Sequence, residues 1–551
     1  MSPTIIRSRH WVEIHPNQSI SQLTLMHNVS NTAPGKIVYE DTLTGRTMTY
    51  AGFRLQVRRT AYWLKNTMGL KPGQIVSIMA PSCIDYILAI HATWWAGGVV
   101  STINHSLHPP EVRRALEHIR PNFLLFHDQS YDVVPELLDQ KLEPSIQGMT
   151  LGVQDSRWPS LLSDSDHGEE LELVSHGDRH MHKVCAAIVL SSGTTGSPKA
   201  IMLSHYDLVS SCLQLRADNE ANWTGDQAEI FFPPLSHIYG IYVCATLSAW
   251  IGAYICVMER FNTRMYCQLM QDRKATLARL VPPIAKLLAE EHVVTEYKYP
   301  ALQYFSCSAA PLNEKTAKQL GKRFPNVMIC QTYGCTELSG PIAQSGLRDV
   351  SSPLISGGRL IANVELRLVN EDGSDVGASG AGELMLRSPS VMMGYKSQDT
   401  IVTTDVLPGG WYRSGDIGYV NPDGYIVITG RVKDLIKYKG FQVAPSELEE
   451  LLHQDPRVRE AAVCGIWDEA QATELPTAFV VLHQTPKDAA SAAVTAGSLV
   501  SFAASRVSHY KRLRGGIVFL NELPKNSNGK VLKRKLKVPK TWTPEPKVAK
   551  L

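Results

Sequence analysis

No C-x-x-C pair, no internal repeat and no low-complexity tract occurs in these 551 residues, and the net charge is only +3. Each absence excludes something. A nearly balanced charge gives no reason to expect nucleic acid or an anionic membrane as a partner. Ten cysteines, scattered from Cys83 to Cys464 without paired spacing, read as reduced, mostly buried thiols rather than a disulfide framework. The polar, Arg-containing start predicts no signal peptide. Residues 240–258 form an uncharged run close to the length of a membrane span. Thr246, Ser248 and Gly252 within it suit a buried helix running into a strand, and no other segment resembles a span. The common P-loop spacing, G-x-x-x-x-G-K-[ST], is missing too.

What is present is a different anion cradle. Residues 190–200 read Leu-Ser-Ser-Gly-Thr-Thr-Gly-Ser-Pro-Lys-Ala, directly after the apolar run 184–190. Gly193 and Gly196 let backbone N–H groups approach an anion, while Ser191, Ser192, Thr194 and Thr195 offer hydroxyls and Lys199 a positive charge. A polyphosphate site is the first inference, with a flexible Gly/Ser/Thr turn as the plain alternative.

The length predicts two or more domains. Strand-like runs at 75–79, 99–103, 123–126, 185–190, 230–232, 254–258 and 327–330 alternate with helical stretches such as 84–95, the pattern of an α/β architecture. From about Val364 the texture changes to short β runs separated by turns at 371–373 and 421–424. A third region follows, with a helix at 445–453, β runs at 460–465 and 477–482, and a basic, Pro-rich tail. The expected division is a large multi-subdomain α/β body over 1–432 and a small, mobile α+β lid over 433–551.

Further polar clusters fall where loops should follow strands. Residues 331–337, Gln-Thr-Tyr-Gly-Cys-Thr-Glu, come straight after the run 327–330, at the strand end where open α/β sheets put ligands. Residues 412–416, Tyr-Arg-Ser-Gly-Asp, offer a carboxylate suited to ribose hydroxyls. Arg431, Lys433, Lys437 and Lys439 crowd one short stretch, and Lys530 follows a Gly-containing turn. Taken singly, each could be a turn, a bulge, a solvated cationic face or a surface loop.

In this order, together with Pro233-Pro-Leu-Ser-His-Ile-Tyr-Gly240 and Ser308-Ala-Ala-Pro-Leu312, these segments resemble the adenylate-forming superfamily of acyl- and aryl-CoA synthetases, firefly luciferase and peptide-synthetase adenylation domains. The hinge Leu435-Ile-Lys-Tyr-Lys-Gly-Phe-Gln-Val-Ala-Pro445 is most similar to plant 4-coumarate:CoA ligases. The resemblance implies an acid–thiol ligase that uses ATP, Mg²⁺ and CoA. A small carboxylic acid is activated as acyl-AMP and then passed to CoA.

By the same resemblance, the loop from Ser191 to Lys199 holds the β- and γ-phosphates, Thr336 the α-phosphate and Glu337 the Mg²⁺. Asp416 takes the ribose with Arg431 nearby, Tyr333 stacks along adenine, and Gln331 and Thr332 complete the nucleotide wall. Lys530 is the implied catalytic residue of adenylation. Rotation about Lys433 then withdraws it, bringing Lys437 and Gln442 to the adenylate and Lys439 and Gly440 to the pantetheine path. His237 gates the acyl site and later helps the thiol. The implied acyl wall is Tyr239, Val243, Ser306, Ala309, Thr332, Cys335, Pro341 and Ile342.

The chain departs from the coumarate-ligase pattern at Thr332 (their Gly), at Cys335 (their Met) and by one extra residue in 337–341. A flat hydroxycinnamate is therefore disfavoured, leaving a short to medium acid, aromatic or aliphatic. Ala549-Lys550-Leu551 is a variant of the Ser-Lys-Leu peroxisomal address, which implies an import receptor as partner and a peroxisomal location, with the cytoplasm as the alternative. Three other readings stay open: a luciferase-like oxygenase, an adenylation enzyme loading a carrier protein, and a non-catalytic binder.

Overall fold

The computed structural model describes residues 4–130, 134–139, 145–151, 158–161, 168–191, 199–345, 356–370, 372–376, 380–397, 400–403, 405–438, 441–469, 471, 473–507, 509–525 and 531–539. Two large, mainly parallel sheets dominate the first part of the chain. One has eight strands, with Ile75–Met79, Val99–Thr102 and Cys185–Ser191 near its middle. The other has nine, running from Arg359–Leu360 through Met328–Cys335, Tyr304–Cys307, Leu277–Leu280 and Ala228–Phe231 to Thr47–Thr49.

Alternation along each strand decides which helices cover which face. In the nine-stranded sheet, Ala278 and Leu280 pack with the helices Thr263–Asp272, Pro282–Glu290 and Glu314–Arg323, whereas Leu277 faces the largest buried cluster. That cluster gathers residues of both sheets, of a third, six-stranded sheet, and of the helices Tyr50–Tyr62, Ile84–Trp95 and His205–Asp218.

Helix Ile84–Trp95 lies in this core with every residue buried. Its sequence is apolar on most sides, as such a position requires, with Asp85, His91 and Thr93 as the polar exceptions. Each fully buried Ile or Leu there contributes on the order of 1.5–3 kcal/mol. Its exposed-end problem is solved from outside: Asp41 Oδ2 accepts the Ile84 N–H at 3.0 Å, and Arg46 bridges Asp85 at 2.8 Å. Trp94 Nε1 donates to the Ala186 carbonyl at 2.9 Å, tying the helix to the neighbouring sheet.

The uncharged run 240–258 is helical as far as Ile251, with a wider π-type turn over Ile241–Leu247. It then turns at Gly252 (φ 66°) into the strand Tyr254–Val257. No helix among the described residues is long and apolar enough to cross a membrane. All ten cysteines are free, and seven are buried.

Beyond Ile436 the chain builds separate cores. One gathers Ile436, Leu448, Val463, Val480 and Leu499, and the other Ala462, Phe479, Val518 and Leu536. They cover a sheet of Val458–Asp468, Thr473–Leu482 and Ile517–Phe519, with the helices Pro445–His453 and Ala489–Ala504.

Candidate active site

The site forms where the nine-stranded sheet changes direction. Strand Met328–Cys335 pairs in parallel with Tyr304–Cys307 over its first half and antiparallel with Gly340–Gln344 over its second. The sequence predicts a strand ending at Cys330 and a loop after it; instead the motif from Gln331 to Cys335 is itself strand. The cause is local. A Cβ on Gly334 would lie 2.1 Å from the Gly340 carbonyl, so glycine lets the returning chain approach, and Ser339 (φ 59°) makes the reversal. Residues 412–416 likewise belong to a strand, Trp411–Val420, rather than a loop.

That strand and its hairpin partner Ile426–Arg431 place Asp416 opposite Arg431. Arg431 Nε bonds Asp416 Oδ1 at 2.8 Å, while the Tyr333 hydroxyl donates to Oδ2 at 2.7 Å. Burial, with the nearby Asp416 charge, holds the Tyr333 phenol well above its usual range, so it stays a donor. For Arg431 burial pulls the other way, but Asp416 and its neighbours outweigh it and the guanidinium stays charged. Ser414 Oγ accepts the Asp416 N–H at 3.1 Å and donates to the Leu384 carbonyl at 2.8 Å, fixing the strand beneath the carboxylate.

A second cluster holds the lysine of the segment 190–200. Lys199 Nζ bridges Asp405 at 3.0 Å and lies 4.1 Å from the Tyr395 ring centroid. The Tyr395 hydroxyl donates to Asp405 at 2.7 Å and stands 3.5 Å from Glu337 Oε1. Burial raises the Glu337 carboxyl, with Lys199 and Arg431 partly offsetting it. Glu337 has no ion-pair partner among the described residues. A largely desolvated carboxylate with no ion-pair contact among the described residues is an oxygen donor of the kind a hard divalent ion takes, so Glu337 fits Mg²⁺.

The Gln331 side-chain carbonyl accepts the Leu312 N–H at 2.9 Å, tying the segment 308–312 to the strand. Thr336 is buried at the start of a short 3₁₀ turn, Thr336–Leu338.

Among the residues expected to line the acyl pocket, Ser306 Oγ and Thr332 Oγ1 share a hydrogen bond of 3.1 Å. Val243 and Ile342 lie in one buried cluster, with Tyr239 and Cys335 packed against it, and Pro341 is buried opposite Gly334. Ala309 is exposed and left-handed (φ 71°), a conformation costing a non-glycine residue about 1–2 kcal/mol. His237 caps the helical turn that follows it, its Nδ1 accepting the Tyr239 N–H at 3.2 Å. Burial lowers its pKa, so the ring is neutral. With the Nδ1 lone pair engaged, the proton sits on Nε2 and the free edge is a donor rather than a base.

Sequence reasoning missed Asp405, Tyr395, Glu229 and Arg279. The last two carried a readable signal. Each is a charge inside an apolar strand, and a buried charge demands a partner. Arg279 Nε meets Glu229 Oε2 at 3.0 Å and Nη1 meets the Tyr242 hydroxyl at 3.0 Å, with both charged side chains 3% exposed. Several expected residues lie outside the described ones: Ser192, Gly193, Thr194, Thr195, Gly196, Lys439, Gly440, Lys530 and the tripeptide Ala549-Lys550-Leu551. So do the side chains of Ser191, Lys433, Lys437 and Gln442.

Comparison with known proteins fits this geometry. A probable 4-coumarate–CoA ligase 1 of Dictyostelium discoideum is 30% identical, covering 97% of this chain and 97% of that protein. The peroxisomal OPC-8:0-CoA ligase 1 of Arabidopsis thaliana is 28% identical, over 97% and 95%. In fold, the ATP-bound MatB from Rhodopseudomonas palustris superposes with a TM-score of 0.81 at 23% identity, over 94% of this chain and 98% of that one. Residues 26–396 match the AMP-binding enzyme family, and residues 447–530 match the AMP-binding enzyme C-terminal domain. With both parts matched and a relative at 30% identity along nearly its whole length, the chain belongs to the AMP-binding enzyme family.

Proposed function

We propose that this protein is an ATP-dependent, AMP-forming acyl-CoA ligase. The observation that carries the reading is the Tyr333–Asp416–Arg431 cluster beside Lys199 and Glu337, a ribose-ready carboxylate next to a phosphate-ready cation. The near full-length likeness to proteins named as CoA ligases supports it.

In the first half-reaction the substrate carboxylate attacks the α-phosphate of ATP and releases pyrophosphate. Charge builds on phosphate oxygens, so the protein's work is positioning and electrostatic stabilisation. Asp416 takes the ribose hydroxyls, and Tyr333 and Arg431 hold its carboxylate in place. Lys199 and the loop from Ser191 to Gly196 take the β- and γ-phosphates, Thr336 the α-phosphate. Glu337 would hold the Mg²⁺ that accompanies ATP, an ion that neutralises phosphate charge. Lys530 bridges the incoming carboxylate and the α-phosphate.

In the second half-reaction the CoA thiol attacks the carbonyl carbon of the acyl adenylate, the bond to phosphate breaks to release AMP, and the thiol proton passes to solvent. The lid, residues 433–551, pivots at Lys433, exchanging Lys530 for the Lys437–Gln442 face, with Lys439 and Gly440 along the pantetheine. His237, a donor through Nε2, orients the acyl carbonyl rather than removing the thiol proton. The tripeptide Ala549-Lys550-Leu551 directs the enzyme to peroxisomes, a reading supported by the peroxisomal relative.

The test is a screen of carboxylic acids for pyrophosphate and AMP release, with and without CoA, with the thioester identified by mass. An acid giving AMP and a CoA thioester establishes the reading. Release of AMP with no thioester, or light with a luciferin, overturns it.

A further inference from the structure

Three sheets meet at Lys199. The lysine opens the strand Lys199–Ser204 of the eight-stranded sheet, which pairs with Gly394–Ser397, the strand of Tyr395. Glu337 follows the strand Met328–Cys335 of the nine-stranded sheet. Asp405 comes from the six-stranded sheet, directly before the strand Val406–Leu407, and its carbonyl accepts the Arg413 N–H at 3.0 Å. Arg413 and Asp416 share the strand Trp411–Val420. The backbone of Asp405 is therefore tied to the strand that carries the proposed ribose carboxylate.

One oxygen of Asp405 is used twice. Its Oδ2 receives the Tyr395 hydroxyl at 2.7 Å and Lys199 Nζ at 3.0 Å, and the ammonium lies 4.1 Å from the Tyr395 ring centroid. Burial, followed by the Glu337 charge and the bond to Asp405, holds the Tyr395 phenol well above its usual range. Tyr395 thus keeps its proton and keeps the carboxylate aimed at the lysine. Lys199 is also the charge that the ligase reading gives to the β- and γ-phosphates. Asp405 and a polyphosphate are rivals for one cation.

Exposure decides whether the rivalry can be resolved in both directions. The Lys199 and Asp405 side chains are 36% and 35% exposed. An ion pair this open to water is weak, so a ligand with several negative charges displaces the carboxylate, whereas a buried pair would lock the lysine.

We propose that Asp405 is a counter-anion that competes with the terminal phosphates for Lys199: it holds the lysine in place ahead of ATP and takes it back as pyrophosphate leaves, which speeds product release. This rests on the ligase reading above and adds a positioning residue to it. Asp405 acts through Lys199 and not on the reacting atoms.

Asp405→Asn keeps the size and the backbone bond to Arg413 and removes the charge. Calorimetry in excess Mg²⁺ compares the binding of ATP, pyrophosphate and AMP to wild type and variant. ATP and pyrophosphate should bind the variant about three- to tenfold more tightly, the scale of an exposed ion pair together with the repulsion removed with it. AMP, which has no β- or γ-phosphate, should bind both alike. In turnover the KM for ATP should fall, while pyrophosphate release, followed in single turnovers, slows by a similar factor. Asp405→Glu keeps the charge and should restore wild-type behaviour.

A residue that merely braced the fold would weaken all three ligands when changed, and that result, or unchanged affinity, overturns the proposal. In a Lys199→Gln background no lysine is left to exchange, so Asp405→Asn should there gain less than about half as much. An equal gain would mean plain charge repulsion and overturns the exchange. Wild-type protein that binds neither ATP nor pyrophosphate overturns the ligase reading and the proposal with it.

Discussion

Asp416 joins Tyr333 to Arg431, so the proposed nucleotide end of the site depends on its carboxylate. Asp416→Asn keeps the size and loses the charge. It removes the counter-charge of Arg431 and weakens the acceptor for both partners and for ribose hydroxyls. A hydrogen bond to a charged group is worth about 1.5–3 kcal/mol, so kcat/KM for ATP should fall by about 10- to 100-fold. Tyr333→Phe should cost less, since Arg431 still holds the carboxylate. Equal kcat/KM for ATP in wild type and Asp416→Asn would show that the ribose is bound elsewhere. On the acyl side, Thr332→Gly removes a branched side chain and its bond to Ser306. Relative kcat/KM toward hydroxycinnamates should rise by about 10- to 200-fold, the range available to steric discrimination. The stability cost should be modest, about 1–2 kcal/mol for one hydrogen bond and a glycine in a strand, read as a lower denaturant midpoint.

At the scale of elements, period and turn chemistry made much of the chain legible. Helices Ile84–Trp95 and Pro445–His453 and strands Ile75–Met79 and Tyr254–Val257 fall where the apolar pattern puts them, to within a residue. The turn at 421–424 is there as well, with the Gly424 N–H donating to the Asn421 carbonyl at 2.9 Å. Strand Met328–Cys335 was harder to read past Cys330, because its second half is polar and its pairing is decided by Gly334 and the reversal at Ser339, far-side contacts that no local pattern contains. The same holds for Asp405, whose role comes from Lys199 and Tyr395 on two other strands.

Helix His205–Asp218 supplies a pH prediction at this scale. Asp207 accepts the Ser204 N–H at 2.7 Å and Ser204 Oγ accepts the Asp207 N–H at 3.0 Å, a reciprocal cap. Burial pushes the Asp207 carboxyl up to about 7 despite those bonds. Its folded pKa thus lies above the unfolded value near 3.9, and the folded state binds the proton more tightly. Stability from this group is complete below pH ~4 and declines as pH rises toward 7, by up to about 1.4 kcal/mol per pH unit. His91 and His205, both lowered to about 3 by burial, act in the opposite sense and lose stability as pH falls from ~6.5. Asp207→Asn keeps a cap acceptor and removes the titration. Melting temperatures of wild type and Asp207→Asn should therefore diverge between pH 5 and pH 8, with the variant gaining at the higher pH. Parallel curves across that range would mean that Asp207 stays ionised in the fold.

The whole molecule is built as two bodies with their own cores: buried clusters beyond Ile436 draw only on residues of the C-terminal part, while the site residues Lys199, Tyr333, Glu337, Asp416 and Arg431 all lie before it. Among the described residues, bonds that cross between them include Ser446 Oγ to the Thr429 carbonyl and Lys286 Nζ to the Arg459 carbonyl at 3.4 Å. In the proposed mechanism the two bodies take two arrangements around one bound intermediate, because one set of groups must serve phosphate chemistry and another thiol attack. In that mechanism Lys530 acts in the first arrangement only. Lys530→Ala should therefore slow adenylation, measured by pyrophosphate release, by about 10²- to 10³-fold, as loss of one preorganised transition-state contact does. The same variant given a synthetic acyl adenylate should still form the CoA thioester at close to the wild-type rate, because the thiol step proceeds with Lys530 withdrawn. Equal losses in the two half-reactions would mean that Lys530 serves both arrangements, and that the lid does not exchange its faces between them.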